Sequence, residues 1–304
     1  MKSSIFITGG SGLLALNWAV CGRDSFDVTL GFHKHQVNLH GVQTKSINLE
    51  SLSAIKQTLE SCQPMWVIHT AGLTSVEECE LNPELAKHVN VTLAQNVAIA
   101  CAQLNIPLTH ISTDHLFFGD QTFVNENSLI APLNVYGKTK AEAELQVLEV
   151  NPEALVIRTN FYGWGTSYRQ SFSDMVLNAL RANQRISLFR DVYYTPILAE
   201  VLVQWVHQLM RRGANGVFNL AGDDRLSKYD FGIKLAKEFG LDSGLIDADQ
   251  IANRPLLVHR PYDMSLSNRK VTNFLGVAVG GVGEHLLRLR QQEVNGLAQE
   301  LKKL

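Results

Sequence analysis

The sequence predicts an α/β protein in which a doubly wound parallel β-sheet is followed by a smaller C-terminal α/β lobe. Three observations support this fold class. Short apolar runs alternate with longer amphipathic segments in the first half, a glycine-rich turn follows the first run, and the alternation loosens after about Gly163. Because parallel strands need long, right-handed and usually helical connections, this alternation favours a parallel sheet covered by helices.

The first half contains short apolar runs of the length expected for buried strands. These runs are Ile5–Thr8, Val28–Leu30, Trp66–His69, Leu108–Ser112 and Leu155–Arg158. The longer segments between them have the amphipathic pattern of helices, most clearly at Leu52–Glu60 and Glu84–Asn105. Strand and helix therefore repeat, as they do in a doubly wound sheet.

The second half has a looser pattern, which predicts a separate and smaller lobe. Helical stretches are mixed there with short β runs: Ser171–Asn183, Ile186–Phe189, Leu198–Arg211, Val217–Leu220, Lys228–Phe239 and Glu284–Leu301. We predict a first domain over residues 1–163 and a substrate-binding lobe over residues 164–304. Parts of 195–222 are compatible with packing back on the first domain.

Composition and charge narrow the functional classes. The chain has 304 residues, of which 45% are hydrophobic and 18% charged, and this balance is typical of a globular protein. A formal net charge of −2 gives no electrostatic attraction to nucleic acid or an anionic membrane. The four cysteines are scattered without metal-ligand spacing. We therefore predict no metal site, and the sequence does not address magnesium.

The first strand begins directly after Lys2, which leaves no room for a signal peptide, and no apolar run approaches about 18 residues. We expect a cytoplasmic protein without a membrane segment. The long amphipathic helices are compatible with a homodimer, although the same apolar stripes also suit packing within one chain.

A glycine-rich turn, Thr8–Ala15, follows the first predicted strand and opens a predicted helix. Gly9 permits a tight turn, and Gly12 lets the backbone approach a pyrophosphate. Free backbone amides at the helix start, including those of Ser11 and Leu13, suit an anion. A glycine-rich connection without a ligand is the alternative, but strand, spacing and helix together favour a Rossmann-type dinucleotide site.

The end of the second strand bears on the choice of nucleotide. An acidic residue there would bind the adenosine ribose, but the segment after Leu30 carries His33 and Lys34 instead. A basic cluster suits a 2′-phosphate better than a free hydroxyl. We therefore predict that the first domain binds NADP(H), with NAD as the alternative cofactor, while a solvated loop face is the other interpretation of these residues.

A catalytic constellation follows further along the chain. Tyr136 and Lys140 are four residues apart in a helical stretch, so they share one helix face. A phenol with an ordinary pKa of about 10 exchanges protons more easily beside an ammonium that favours the phenolate. Thr113, at the end of a predicted strand, is the third candidate. Its hydroxyl could hydrogen-bond the substrate oxygen to which Tyr136 donates a proton. Its neighbour Ser112 would face the opposite side of the sheet.

These motifs resemble the extended short-chain dehydrogenase/reductases, and within them the dTDP-4-dehydrorhamnose reductase family. The resemblance runs along nearly the whole chain and depends on Thr8–Ala15, His69–Thr74, Val89–Asn90, Ile111–Asp114, Pro132–Lys140 and Arg260–Leu266. It implies reduction of a 4-keto sugar carried on a nucleotide, with NADPH or NADH as the reductant. It also implies catalytic roles for Thr113, Tyr136 and Lys140.

The resemblance implies further contacts. Ala71 and Gly72 are expected to line the cofactor, and Arg158 to lie near the cleft. Asn48 and Leu49 stand where the family has an aspartate–leucine pair near adenine, so we assign them to the cofactor. We assign a second set to the substrate: Thr74, Asp114, His115, Asn160 and Arg260. His115 replaces a usual tyrosine, and the guanidinium of Arg260 suits a diphosphate.

Three functions fit these residues. The first is a reductase that consumes one NADPH per turnover and takes a proton from Tyr136. The second is a nucleotide-sugar epimerase or dehydratase, in which the nucleotide is reduced and reoxidised while bound. The third is a non-catalytic NADP-binding regulatory subunit, as in the branch of this resemblance linked to methionine adenosyltransferase. The retained Tyr136 and Lys140 favour an enzyme.

Overall fold

The computed structural model describes residues 2–33 and 35–304. In the first half, strands and helices alternate in the order β1 Ser3–Thr8, α1 Leu13–Gly22, β2 Phe26–Phe32, β3 Gln43–Ser46, α2 Leu52–Cys62, β4 Trp66–His69, α3 Val76–Leu81, α4 Pro83–Lys87, α5 Leu93–Leu104, β5 Leu108–Ile111, α6 Val135–Val150 and β6 Leu155–Arg158. A π-helical turn, His88–Thr92, joins α4 to α5.

The second half contains shorter strands in the order β7 Phe161–Tyr162, α7 Phe172–Arg181, β8 Ile186–Phe189, β9 Tyr193–Tyr194, β10 Ile197–Leu198, α8 Ala199–Arg211, β11 Gly216–Asn219, β12 Leu226–Ser227, α9 Lys228–Glu238, β13 Ile246–Asp249, β14 Asp263–Met264, α10 Arg269–Leu275, α11 Val282–Val294 and α12 Leu297–Lys302. Single 3₁₀ turns occur at Ser243–Leu245 and Ile251–Asn253.

The central sheet has the order β11-β6-β5-β4-β1-β2-β3 among the described residues, and all of its pairings are parallel. The predicted fold class, a Rossmann-type doubly wound sheet, is confirmed. The order of the strands reverses at β1: β2 and β3 lie on one side of it, and β4, β5 and β6 lie on the other. In such sheets this reversal opens a crevice at the carboxyl ends of the strands, where ligands bind.

The core lies on both faces of this sheet. In β1, the buried side chains of Ile5 and Ile7 join one apolar cluster with Trp18 of α1, while Phe6 joins a second cluster with Val67 of β4. Successive strand residues point to opposite faces, so a strand covered on both sides must be apolar at each position. This explains why the buried centre of β1, from Ile5 to Ile7, is an uninterrupted apolar run.

The edge strand β3 does not follow this rule. Its residues Gln43–Ser46 are polar and mostly exposed, yet they pair in register with β2. An edge strand buries little of its surface, so it carries no apolar run, and the sequence pattern did not indicate it.

At the opposite edge of the sheet, β11 comes from the second half of the chain and pairs with β6. Helix α8, which precedes it, lies against α1. Residues Gly216–Asn219 thus belong to the central sheet. The predicted domain boundary at residue 163 stays a prediction. Elsewhere in the second half, smaller sheets pair β7 with β10, β8 with β13, and β9 with β12 and β14. Across residues 2–33 and 35–304, no helix combines the length and apolar character needed to cross a bilayer.

Candidate active site

A cleft of about 370 Å³ opens at the carboxyl ends of β1, β4 and β5. It lies beside the reversal of strand order at β1. Residues from four parts of the chain form its walls: Gly12–Leu14, then Thr70–Gly72, Thr74, Val76 and Asn90, then Ile111–His115, Tyr136 and Lys140, and finally Thr159–Phe161, Arg169 and Gln170. The cleft therefore contains the last part of the glycine turn together with the Tyr-Lys pair, whereas Gly9 and Ser11 are not among its walls.

The glycine turn is tight and its amides are available to a ligand. Gly9 has a φ of 71°, and a Cβ there would lie 2.8 Å from the Cα of Ala71. The Gly12 amide donates to the Gly9 carbonyl at 2.8 Å. Gly12 is the N-cap residue of α1, and it has no side chain that could bond the first amides of the helix. The first amides of α1 thus have no intrahelical partner and, with the helix dipole, fit the pyrophosphate of a dinucleotide.

A segment of the second half folds over this turn. The Tyr168 hydroxyl donates to the Ser11 carbonyl at 3.0 Å, and the His35 ring packs against Tyr168 with centroids 4.6 Å apart. Nη1 of the exposed Arg169 lies 4.0 Å from the position that a Cβ on Gly12 would occupy. Sequence reasoning missed Arg169, because nothing in its local pattern shows that the chain returns to the glycine turn.

Helix α6 presents the two helical candidates. It begins after Asn134, whose side chain accepts from the Gly137 amide at 2.9 Å and donates to the His259 carbonyl at 3.0 Å. This cap holds the helix start against the 259 loop. Tyr136 and Lys140 consequently occupy the first turns of α6 and both line the cleft.

Thr113 follows β5 and is buried next to Tyr136. Its hydroxyl donates to Oδ1 of Asp114 at 3.2 Å and accepts from the His115 amide at 3.3 Å. Burial raises the pKa of Tyr136, and a hydrogen bond with Thr113 partly opposes that rise. A phenol with a raised pKa is protonated at neutral pH, which is the state that a proton donor requires.

Lys140 is buried, with 6% of its surface exposed. Its Nζ donates to the Ile111 carbonyl at 2.7 Å and lies 3.3 Å from Nε2 of His110. Burial lowers the pKa of Lys140 to about 8, and the nearby Glu144 carboxylate opposes this. The amine therefore titrates close to neutral pH, where a catalytic lysine is useful.

Most residues assigned to the substrate line the same cleft. Thr74, Asp114, His115 and Asn160 are all part of its walls. The Asn160 amide donates to Oδ2 of Asp114 at 2.5 Å, and the His115 ring packs edge-on against Tyr136 with centroids 5.5 Å apart. Amide, carboxylate and imidazole groups side by side can hydrogen-bond the hydroxyls of a sugar.

Several predicted contacts are not among the walls of this cleft. Arg260 forms an ion pair with Glu77. The Asn48 side chain accepts from the Glu50 amide at 3.0 Å, while Leu49 is buried and His33 is exposed. Lys34 lies outside the described residues. The binding roles of these residues stay predictions.

Arg158 is also absent from the walls. Its guanidinium forms a buried ion pair with Glu144, in which Nη2 lies 2.7 Å from Oε2. That carboxylate occupies the guanidinium, so Arg158 is not available to a ligand in the cleft.

Asn90, which lines the cleft, and Lys228, which lies near Asp114 of its wall, had no role assigned from sequence. Asn90, in the π-helical turn, accepts from the Leu73 amide at 2.7 Å and donates to Thr139 Oγ1 at 3.0 Å. These two bonds connect the loop after β4 to helix α6. Lys228 places its ammonium 3.3 Å from the centroid of the Tyr194 ring. Burial lowers the pKa of Lys228 to about 8, and the charge of Asp114 opposes this. The π-helical turn and the contact of Lys228 with Tyr194 become visible only in three dimensions.

The parallel sheet, the glycine turn and the Thr-Tyr-Lys group in one cleft define an extended short-chain dehydrogenase/reductase. A family model described as the RmlD substrate binding domain matches residues 3–291. The chain belongs to this family, which confirms the family predicted from the motifs.

Individual relatives agree with this assignment. The chain is 30% identical over 275 residues to a probable low-salt glycan biosynthesis reductase, Agl14, of Haloferax volcanii, covering 89% of this chain and 92% of the relative. It is 26% identical over 286 residues to a dTDP-4-dehydrorhamnose reductase of Aggregatibacter actinomycetemcomitans, covering 90% and 93%. A solved dTDP-4-dehydrorhamnose reductase from Bacillus anthracis, in complex with NADP, superposes with a TM-score of 0.82 at 22% identity, covering 96% of this chain and 100% of that one.

Proposed function

We propose that the protein uses NADPH to reduce the 4-keto group of a deoxysugar carried on a nucleotide. The chain is an oxidoreductase, and the names of its relatives support a nucleotide-sugar reductase. One observation carries the proposal furthest: Gly12 of the glycine turn, Thr113 and Tyr136 share the walls of a single cleft. A hydride donor and a protonated phenol can therefore meet one carbonyl.

The residues present fit a dinucleotide. Gly12 allows close approach to the turn, the free amides of α1 suit a pyrophosphate, and Ala71 and Gly72 form the adjacent wall. When bound, NADPH would supply the hydride. NADP rather than NAD is proposed from the basic residues after β2, of which His33 is exposed to solvent.

The chain's own residues account for the proton. Tyr136 is protonated at neutral pH and donates to the substrate oxygen as negative charge develops on it. Thr113, whose hydroxyl lies beside the phenol, hydrogen-bonds the same oxygen. The Lys140 ammonium then favours the phenolate that remains. The sugar lies against Thr74, Asp114, His115 and Asn160, whose polar groups orient its 4-position.

The test is NADPH consumption, followed by the nicotinamide absorbance band, with dTDP-4-dehydrorhamnose as the first substrate and UDP- and GDP-linked 4-keto sugars as the panel. We expect stoichiometric NADPH oxidation with at least one of them. Isomerisation of a sugar without net oxidation would instead assign the protein to the epimerases. Tight NADPH binding with no turnover of any sugar would favour the regulatory subunit.

A further inference from the structure

Next to Lys140, on three neighbouring strands, lie buried side chains that the proposed chemistry does not use. Thr8, His69 and His110 occupy paired positions on β1, β4 and β5: Thr8 is opposite His69, and His69 is opposite His110. All three are buried, with exposures of 1%. They form a row across three neighbouring strands that ends at the amine of Lys140.

Contacts along the row fix each member in turn. Thr8 Oγ1 lies 2.8 Å from Nδ1 of His69. The rings of His69 and His110 are stacked, with centroids 5.4 Å apart and an interplanar angle of 19°. Nε2 of His110 lies 3.3 Å from Nζ of Lys140. The orientation of the His110 ring is therefore set from β1, and its nitrogen faces the amine.

His110 is suited to accept a hydrogen bond from a cation. Burial and the charge of Lys140 hold the pKa of His110 well below its ordinary value. Its imidazole is thus neutral and has one nitrogen lone pair. An ammonium has three N–H groups; the Ile111 carbonyl accepts one, and Nε2 of His110 accepts a second when its ring proton is on Nδ1. One N–H is left for the cleft that Lys140 lines.

Other charged and titratable groups do not replace this contact. Glu144, one turn along α6, is bound through both oxygens to Arg158 of β6 at 2.7 to 3.1 Å. Tyr136 lies on the same face of α6, and a phenol with a raised pKa is neutral. His69 touches His110 rather than the amine and is also neutral, because burial lowers its pKa to about 3.

We propose that His110 is a positioning residue for Lys140, whose neutral ring holds the ammonium toward the cofactor side of the cleft and stabilises its charged form. The row of Thr8 and His69 keeps that ring in place. This inference depends on the proposed role of Lys140, but its test needs neither substrate nor turnover.

Loss of the His110 contact should lower the pKa of Lys140. Burial already lowers the pKa of Lys140 to about 8. Removing an acceptor from its charged form must lower the pKa further, so that the ammonium is lost at a lower pH. A hydrogen bond to a charged group is strong enough to shift the midpoint by about one pH unit, which is a tenfold change in proton affinity.

The experiment is NMR titration of protein labelled with ¹³C at the lysine side chains, with the Lys140 signal assigned by its loss in Lys140→Met. We expect His110→Phe and His110→Leu to lower the Lys140 midpoint by about one unit. His110→Gln keeps a hydrogen-bond acceptor, so its Lys140 midpoint should stay close to that of the wild type. His207→Phe is the matched control, because His207 is another largely buried histidine that binds Trp18 instead.

An unchanged Lys140 midpoint in a folded His110→Phe or His110→Leu variant would overturn the proposal, as would an equal shift in His207→Phe. If both apolar variants fail to fold, His110→Gln and His110→Ala are compared, and equal midpoints in these two would overturn it as well. Absence of NADPH oxidation would count against the proposed function alone and leave this titration intact.

Discussion

Glu144 of α6 and Arg158 of β6 form an ion pair in which each side chain is only 3% exposed. Three hydrogen bonds join them, at 3.0, 3.1 and 2.7 Å. The Arg158 Nη1 also donates to the Glu126 carbonyl at 3.3 Å. The pair thus links the helix that carries Tyr136 and Lys140 to the sheet beneath it.

The first prediction concerns the stability of this link. Glu144→Gln leaves the guanidinium buried without a counter-charge, and breaking such a pair typically costs about 3–5 kcal/mol of unfolding free energy. Urea denaturation followed by circular dichroism measures the loss. Asp247→Asn is the matched control, since the Arg185–Asp247 pair is exposed and should contribute little to stability. Equal losses at the two pairs would contradict the expectation.

The second prediction concerns the proton donor. Tyr136→Phe removes the hydroxyl but keeps the ring that packs against His115. We expect turnover to fall by about 100-fold or more, because the positioned acid is lost, while NADPH affinity changes little. Turnover is measured by NADPH absorbance and affinity by NADPH fluorescence. Tyr229→Phe, on α9, should leave both values as in the wild type. A Tyr136→Phe variant with normal turnover would remove Tyr136 from the mechanism.

The sequence was sufficient to predict those parts of the site that depend on the spacing of residues close together in the chain. The glycine turn joins β1 directly to α1, and the four-residue spacing of Tyr136 and Lys140 sets one helix face. The position of Thr113 after β5 also follows from the sequence, because the carboxyl ends of parallel strands meet at one edge. These features were predicted together for that reason.

Features that depend on which strands are neighbours could not be predicted. The row of Thr8, His69 and His110 exists because β4 lies between β1 and β5, an order that no short pattern encodes. Likewise, only the path of the second half brings Arg169 back to the turn. Arg158 shows the reverse case: the family resemblance implied that it lies near the cleft, but its guanidinium is bound to the Glu144 carboxylate of α6.

The third prediction concerns Arg169. Its guanidinium lies next to Gly12, so Arg169→Gln should weaken NADPH binding by about tenfold, as expected for one exposed charge-assisted contact to a phosphate. NADPH and NADH affinities are both measured by fluorescence. Equal weakening indicates a pyrophosphate contact, whereas weakening of NADPH alone indicates the 2′-phosphate. Arg190→Gln, another exposed arginine, is the control. Unchanged affinity for both nucleotides would exclude Arg169 from the cofactor site.

The fourth prediction is the pH dependence of turnover. Because burial lowers the pKa of Lys140 to about 8, its ammonium is lost as the pH rises through that value. The phenolate of Tyr136 then loses its stabilising charge, so turnover should decline above about pH 8 rather than near the ordinary lysine pKa of about 10.4. A pH profile under substrate saturation measures this limb. A profile flat to about pH 10 would show that Lys140 does not act through its charge.

The last prediction is acid sensitivity of the fold. Burial lowers the pKa of His69 to about 3 and of His207 to about 4, and holds that of His110 well below its usual value. The unfolded chain therefore binds more protons than the folded one below about pH 6.5, so stability must fall as the pH falls. Each histidine should remove about 1 kcal/mol between about pH 7 and about pH 5.5.

Urea midpoints across this range measure the slope, and His207→Gln should reduce the loss of stability by about 1 kcal/mol, because one of the buried histidines with a lowered pKa is gone. His88→Gln is the control, since His88 is exposed and pairs with Glu50. A wild-type slope that His207→Gln leaves unchanged would mean that His207 is protonated in the folded protein, against its buried position beside Trp18.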